Sequence, residues 1–229
     1  MSTDSPLIAA LDTADLSRAE RWAAALEPYC GLLKLGLEFF CAHGPSGVGL
    51  IRHPVFLDLK LHDIPATVAA AVRALGPVAP AMVTLHAAGG AAMIGAAREA
   101  AEAMAGRRIK LLAVSVLTSL DAAGLSQTGV SGPAAEQVLR LARLALEAGA
   151  DGLVCSGQEV AMLREAFGAG PLLVVPGIRP AGAARDDQAR VSAPRDAMAA
   201  GASYIVVGRP ITRAADPAAA AAAILASLG

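Results

Sequence analysis

FLDLKLHDIP (residues 56–65) passes from apolar to charged within one short stretch: Phe56, Leu57, Leu59 and Leu61 interleave with Asp58 and Lys60, and Asp63 follows. Side chains two apart on a strand share a face, so Asp58 and Lys60 point one way while Leu57 and Leu59 point the other. Asp63 falls beyond the strand, on a loop before Pro65 and the next helix. A chain that is 55% hydrophobic and 17% charged has little structural reason to put three ionisable groups at the end of a buried strand. The stretch therefore reads as one unit: a buried strand, a charged mouth, then a helix.

The same unit recurs outward in both directions. Apolar runs are LIAALD (7–12), LLKLGL (32–37), VFLDLK (55–60), MVTLHA (82–87), KLLAVSVL (110–117), GLVCS (152–156), LLVVPG (172–177) and YIVVGR (204–209). Between them, stretches such as 16–27, 67–75, 90–104, 133–148 and 158–167 have helical composition and a spacing of large apolar side chains near 3.6 residues. Strands that alternate with helices predict a parallel sheet buried on both faces, and eight such repeats close into a (β/α)₈ (TIM) barrel of the α/β class. Residues 1–229 are expected to form a single barrel domain, since barrels of this kind run to about 200–250 residues. An open doubly wound sheet is the competitor. It is disfavoured because no GxGxxG turn follows the first strand, and the AAGGAA of 87–92 lacks that spacing.

Composition narrows the partners. A net charge of −1 and a pI near 6.4 offer no basic surface for nucleic acid or an anionic membrane. Cys30, Cys41 and Cys155 are odd in number and form no CxxC pair, which points to reduced thiols in a cytoplasmic protein rather than to disulfides or zinc. MSTDSPLIAALD carries no basic region and reads as no signal peptide. The tail AAAAAAILASLG is too short to span a bilayer and reads as an Ala-rich helix.

Only three of the 19 basic residues are Lys: Lys34, Lys60 and Lys110. A sequence so biased towards Arg uses it wherever any cation serves, so a Lys within an apolar strand marks a place where a compact amine is needed. Lys34 and Lys60 lie in such runs. Lys110 follows Arg107 and Arg108 and reads as a surface charge. Asp12, Lys34, Asp58 with Lys60, His86, Thr118 and Arg209 all fall at C-terminal strand ends, where barrel active sites are built. Lys34, on the neighbouring strand, can reach the space of Asp58 and Lys60 and give an alternating set of Lys and Asp. The plain alternative is a self-satisfying ion-pair network, but buried ion pairs rarely add stability over apolar packing. An ammonium held among carboxylates keeps its charge, which makes Lys60 a poor Schiff-base nucleophile and a good stabiliser of, and proton donor to, a developing carbanion.

A second constellation lies on the last two strands. PGIRP (176–180) opens a long connection containing Arg179 and Gln188, and YIVVGRPIT follows, with Gly208 allowing close backbone approach and Arg209 able to fork onto an anion. The loops after strands seven and eight are the usual phosphate site of a barrel. The alternative is that Arg179 and Arg209 pair with local acids such as Asp186 or Asp187. Thr118 and Ser119 are placed either to hydrogen-bond a polar heterocycle or to form a turn. His86 reads as structural, and His62 as lying behind the site or facing a helix.

With these motifs in order, DLKLHDIPATV (58–68), LTS (117–119), CSGQE (155–159), PGIRP (176–180) and VGRPIT (207–212), the chain resembles the orotidine 5′-phosphate decarboxylase family along essentially its whole length. DxKxxD alone is shared with other decarboxylating and aldol-type barrels; its extension into DIP with PGIRP and VGRPIT is more specific. The resemblance implies a cofactor-free, metal-free decarboxylase that converts orotidine 5′-phosphate to UMP as a homodimer with shared active sites. It further implies that Lys60 protonates C6, that Asp58 sits near the substrate carboxylate, and that Asp63, Ile64 and Thr67 reach into the partner's site. Asp12 and Lys34 would hold the ribose hydroxyls, and Thr118 and Ser119 would meet the pyrimidine. Pro176, Arg179, Gln188, Gly208 and Arg209 would form the phosphate end. Ala66 departs from the family pattern, which usually has Asn after DIP, and touches none of these roles.

Three other readings compete. A related barrel acting on a sugar phosphate, of the keto-gulonate-phosphate decarboxylase or hexulose-phosphate synthase type, would require Mg²⁺ and further carboxylates. An aldolase would use Lys34 or Lys60 as a Schiff base. A silent barrel would bind nucleotide monophosphates without chemistry, but a pure binder gains little from a buried charge cluster.

Overall fold

The computed structural model describes residues 5–106, 108–180 and 192–228. Eight strands, β1 (Leu7–Ala10), β2 (Leu32–Gly36), β3 (Val55–Leu61), β4 (Met82–His86), β5 (Lys110–Val114), β6 (Gly152–Val154), β7 (Leu172–Val175) and β8 (Tyr204–Val207), close in sequence order into a barrel. Every pairing is parallel, including β1 with β8. The (β/α)₈ architecture expected from the repeating runs is therefore the observed one.

Alternation along the strands divides two cores. Ile8, Leu32, Phe56, Met82, Leu112, Val174 and Val206 fill the barrel interior. Their strand neighbours Leu7, Leu33, Leu57, Val83, Leu111, Leu173 and Ile205 face the helices and join the outer core. Both faces of each strand are covered, which is why the strands read as continuous apolar runs. The outer layer includes helices Leu16–Leu26, Pro65–Ala74, Gly90–Glu102, Ala134–Glu147 and Val160–Phe167, all close to the stretches picked from composition. The helices Leu37–Val48, Ala122–Gln127, Pro194–Ala199 and Arg209–Thr212 were not among those stretches; Leu37–Val48 is kinked at Gly44, where φ is 58°. Among the described residues, no helix is long and apolar enough to cross a membrane.

Every strand but β3 ends earlier than the apolar run that announces it. β1 stops at Ala10, β5 at Val114 and β8 at Val207, which moves Asp12 and Thr118 onto loops and puts Arg209 at the start of a short helix, Arg209–Thr212. Residues past the strand ends remain apolar because they still pack; Leu11 and Val116 lie beyond their strands and are buried. The polar groups keep their place at the C-terminal end of the barrel.

The opposite end is closed by a charged staple. The Asp151 carboxylate, just ahead of β6, accepts the Leu111 amide at 2.7 Å and takes Arg108 through two hydrogen bonds and Arg98 at 3.1 Å. Burial raises the proton affinity of this carboxyl, but Arg108, the Leu111 amide and Arg98 together hold it below its ordinary value.

Candidate active site

The charged stretch of β3 does not sit in a regular ladder. Leu57 pairs with Val83 and Leu61 with Leu85, so β3 takes four steps where β4 takes two. The surplus bulges at Asp58–Lys60, and Lys60 adopts a left-handed backbone with φ of 51°, unusual for a residue with a Cβ. Asp58 and Lys60 nevertheless face the same way. Lys60 Nζ donates to Asp58 Oδ1 at 2.8 Å, and Leu59 is buried against the outer core.

Lys34, from the inward face of β2, joins the pair. Its Nζ lies 3.6 Å from Asp58 Oδ2 and 3.1 Å from Asp12 Oδ1, so Asp12, Lys34, Asp58 and Lys60 form one alternating chain of charges. Gly36 makes room for it: a Cβ there would stand 3.3 Å from Asp12 Oδ1 and 3.4 Å from Lys34 Nζ. Burial by itself would raise the Asp58 pKa, yet Lys34, Lys60 and a hydrogen bond from Thr84 outweigh it and hold the carboxyl below the ordinary carboxylate range. A carboxylate kept ionised between two ammonium groups is suited to orienting them and to repelling a second carboxylate placed beside it.

These four side chains line a cavity of about 720 Å³ at the C-terminal barrel mouth. Thr118, Ser119, Pro176, Arg179, Gly208 and Arg209 line the same cavity, so both constellations read from the sequence open onto one space. The floor is apolar, formed by Phe56, Val154, Val174 and Val206. The PGIRP turn is set by Gly177, whose φ is 73°, and by pairing of Ile178 with Ser192, through which Arg179 N–H donates to the Ser192 carbonyl at 3.0 Å. Gln188, and the acids Asp186 and Asp187 proposed as alternative partners for the arginines, lie outside the described residues.

Asp63, Ile64 and Thr67 do not line this cavity. All three are exposed, and Asp63 Oδ1 accepts the Ile64 amide at 2.6 Å. Among the described residues, then, Lys60 is held by one carboxylate, Asp58, rather than by carboxylates on both sides. Ile64 is 65% exposed, a large apolar side chain standing in solvent beside the mouth.

His86 and His62 stack, with ring centroids 5.3 Å apart and a tilt of 39°. Burial, with the His62 and Lys60 charges nearby, lowers the His86 pKa and favours a neutral ring despite the opposing pull of Asp58. Neither histidine lines the cavity. Sequence reasoning passed over Arg18, Trp22, Thr212 and Arg213, which do line it, and Thr84, which bonds both Asp58 and Lys60. Arg18 and Trp22 lie one turn apart on a helix, with the guanidinium 6.0 Å from the indole centroid. Among the described residues, no group of three or more His, Cys, Asp or Glu side chains is placed to hold a metal ion.

Known proteins match the chain along nearly its whole length. A family profile described as "Orotidine 5'-phosphate decarboxylase / HUMPS family" matches residues 5–224. The orotidine 5′-phosphate decarboxylase of Gluconobacter oxydans (strain 621H) is 56% identical, with 100% of this chain and 99% of that protein covered. The enzyme of the same name from Thermobifida fusca (strain YX) is 55% identical over 97% of this chain and 95% of its own length. Among solved structures, orotidine 5′-phosphate decarboxylase from Lactobacillus acidophilus superposes with a TM-score of 0.88 at 40% identity, covering 99% of this chain and all of that one.

Proposed function

The chain belongs to the orotidine 5′-phosphate decarboxylase / HUMPS family, and from that premise we infer that it decarboxylates orotidine 5′-phosphate to UMP in pyrimidine biosynthesis. The observation that carries the mechanism is the Lys60 ammonium fixed 2.8 Å from Asp58 in the cavity that Arg179 and Arg209 also line. The arginines, with Pro176, Gly208 and Gln188, take the phosphate. Asp12 and Lys34 take the ribose hydroxyls. Thr118 and Ser119 meet the edge of the pyrimidine. So held, the substrate carboxylate lies beside Asp58 and C6 beside Lys60.

The C6–carboxylate bond breaks, CO₂ leaves, and the bonding electron pair stays on C6. Lys60 stabilises that developing charge and then donates its proton to C6, which gives UMP and a neutral amine that solvent reprotonates. The positive charge that the reaction needs resides on lysine, so the reading calls for no cofactor. Phosphate contacts far from C6 contribute by fixing the ring against Lys60, because remote binding energy can be used at the reacting carbon.

Asp63, Ile64 and Thr67 belong in this proposal to the site of a second subunit. Their exposure beside the mouth and their absence from their own cavity support that assignment, and so does the apolar Ile64 in solvent. The working unit is then a cytoplasmic homodimer of 1–229 barrel domains with shared sites.

The Mg²⁺-dependent sugar-phosphate reading is not favoured. The family description spans both activities, but relatives near 55% identity over nearly the whole chain carry the decarboxylase name. The test is to mix the EDTA-treated protein with orotidine 5′-phosphate and follow the ultraviolet change to UMP. Turnover is expected without added metal. No turnover until Mg²⁺ is restored would transfer support to the sugar-phosphate reading.

A further inference from the structure

Thr84 is fully buried on the inward face of β4, two residues beyond Met82 of the apolar interior. It stands opposite the bulge. Between the Leu57–Val83 and Leu61–Leu85 pairs, β3 presents Asp58, Leu59 and Lys60, and β4 presents Thr84 alone. The Thr84 hydroxyl accepts the Lys60 backbone N–H at 2.8 Å and donates to Asp58 Oδ1 at 2.9 Å. That carboxylate oxygen also receives Lys60 Nζ at 2.8 Å. The bonds form a closed ring: Lys60 amide to Thr84 hydroxyl, hydroxyl to Asp58 carboxylate, Lys60 ammonium to the same oxygen.

One hydroxyl has a single proton and two acceptor sites, so its roles here are fixed. Its proton goes to Asp58, which leaves a lone pair for the Lys60 amide. A bulged, left-handed residue loses its regular ladder partner, and the Thr84 oxygen replaces it. We propose that Thr84 is a positioning residue for decarboxylation, holding the Lys60 backbone in its left-handed bulge and the Asp58 carboxylate in the orientation that aims the lysine ammonium into the cavity. It touches no substrate and acts through these two residues. The inference rests on Lys60 being the proton donor.

The test compares the parent with Thr84→Val, which keeps shape and loses the hydroxyl, and Thr84→Ser, which keeps the hydroxyl and loses a methyl. Each is assayed for kcat and KM on orotidine 5′-phosphate and for binding of UMP, which reports an intact pocket independently of the chemistry. Thr84→Val is expected to lose about 10- to 100-fold in kcat, with KM and UMP affinity within about threefold of the parent, because a displaced donor reduces rate more than affinity. Thr84→Ser is expected to retain most of kcat. Thr84→Ala carries the same expectation and takes the place of the valine variant if that one does not fold. A hydroxyl-free variant that binds UMP normally and keeps kcat within about twofold of the parent overturns the proposal, as does a serine variant no better than the hydroxyl-free ones. If the parent itself does not turn over the substrate, the functional reading fails rather than this inference.

Discussion

Lys60 Nζ meets Asp58 Oδ1 at 2.8 Å across a bulge that gives β3 four steps for two of β4. The pair is therefore built by irregularity. A regular strand would direct both side chains inward, but it would not bring the Lys60 amide to the Thr84 side-chain hydroxyl, which accepts it here at 2.8 Å. That contact ties the backbone of the proposed proton donor to the carboxylate that holds its ammonium.

Arg209, at the first position of the short helix after β8, is assigned to the phosphate. Arg209→Ala is expected to raise KM by roughly 10- to 100-fold, the value of a charge-assisted hydrogen bond, with a smaller effect on kcat. Steady-state kinetics on orotidine 5′-phosphate check this. An unchanged KM would remove Arg209 from the phosphate site.

The low pKa of Asp58 has a stability consequence with a definite sign. The carboxyl is held below the unfolded value of about 3.9, so the native state releases this proton more readily than the unfolded chain. Its contribution is complete above about pH 5 and is lost as pH falls through the folded value. Urea midpoints of the parent and Asp58→Asn are expected to differ most above about pH 5 and to converge as pH falls from the unfolded value through the lower folded one. A gap that does not change with pH would contradict the depressed value.

Asp151 supplies a control at the far end of the barrel. Asp151→Ala leaves the Leu111 amide without its carboxylate partner and releases Arg98 and Arg108. The variant is expected to lose about 1–3 kcal/mol by denaturant unfolding at neutral pH while kcat stays within about twofold of the parent. A large loss of kcat in a folded variant would show that the two ends of the barrel are coupled.

Shared sites make a sharper prediction. Lys60→Ala and Asp63→Ala are each expected to be inactive alone. Mixed under conditions that allow subunit exchange, they form heterodimers with one intact site, and about a quarter of parental activity returns. No recovery in an exchanging mixture would place Asp63 in its own subunit's site, and an active Asp63→Ala variant would place it outside the chemistry altogether.

How far the sequence reaches is visible in these same residues. The eight strands were legible because each is apolar on both faces, and ends such as those of β1 and β5 were overshot because Leu11 and Val116 remain buried past the strand ends. Period-two alternation put Asp58 and Lys60 on one side, but the bulge depends on the β4 partner and has no local signature. Thr84 escaped notice because a threonine in a strand is ordinary; its inward position in an apolar run was the available signal. Arg18 and Trp22 escaped because their reach over the mouth depends on how the first helix lies on the barrel, which spacing does not encode. Asp63, Ile64 and Thr67 were read from resemblance, and the folded chain leaves them on its surface.

The central claim is that the Lys60 ammonium, framed by Asp58, performs the chemistry. The most direct measurement is kcat for the parent and Lys60→Ala on orotidine 5′-phosphate in EDTA, with UMP binding measured on both. The account predicts a parent that turns over without metal, and a variant that still binds UMP but falls by roughly 10²- to 10⁴-fold or more in kcat. Comparable kcat for the two proteins would contradict it.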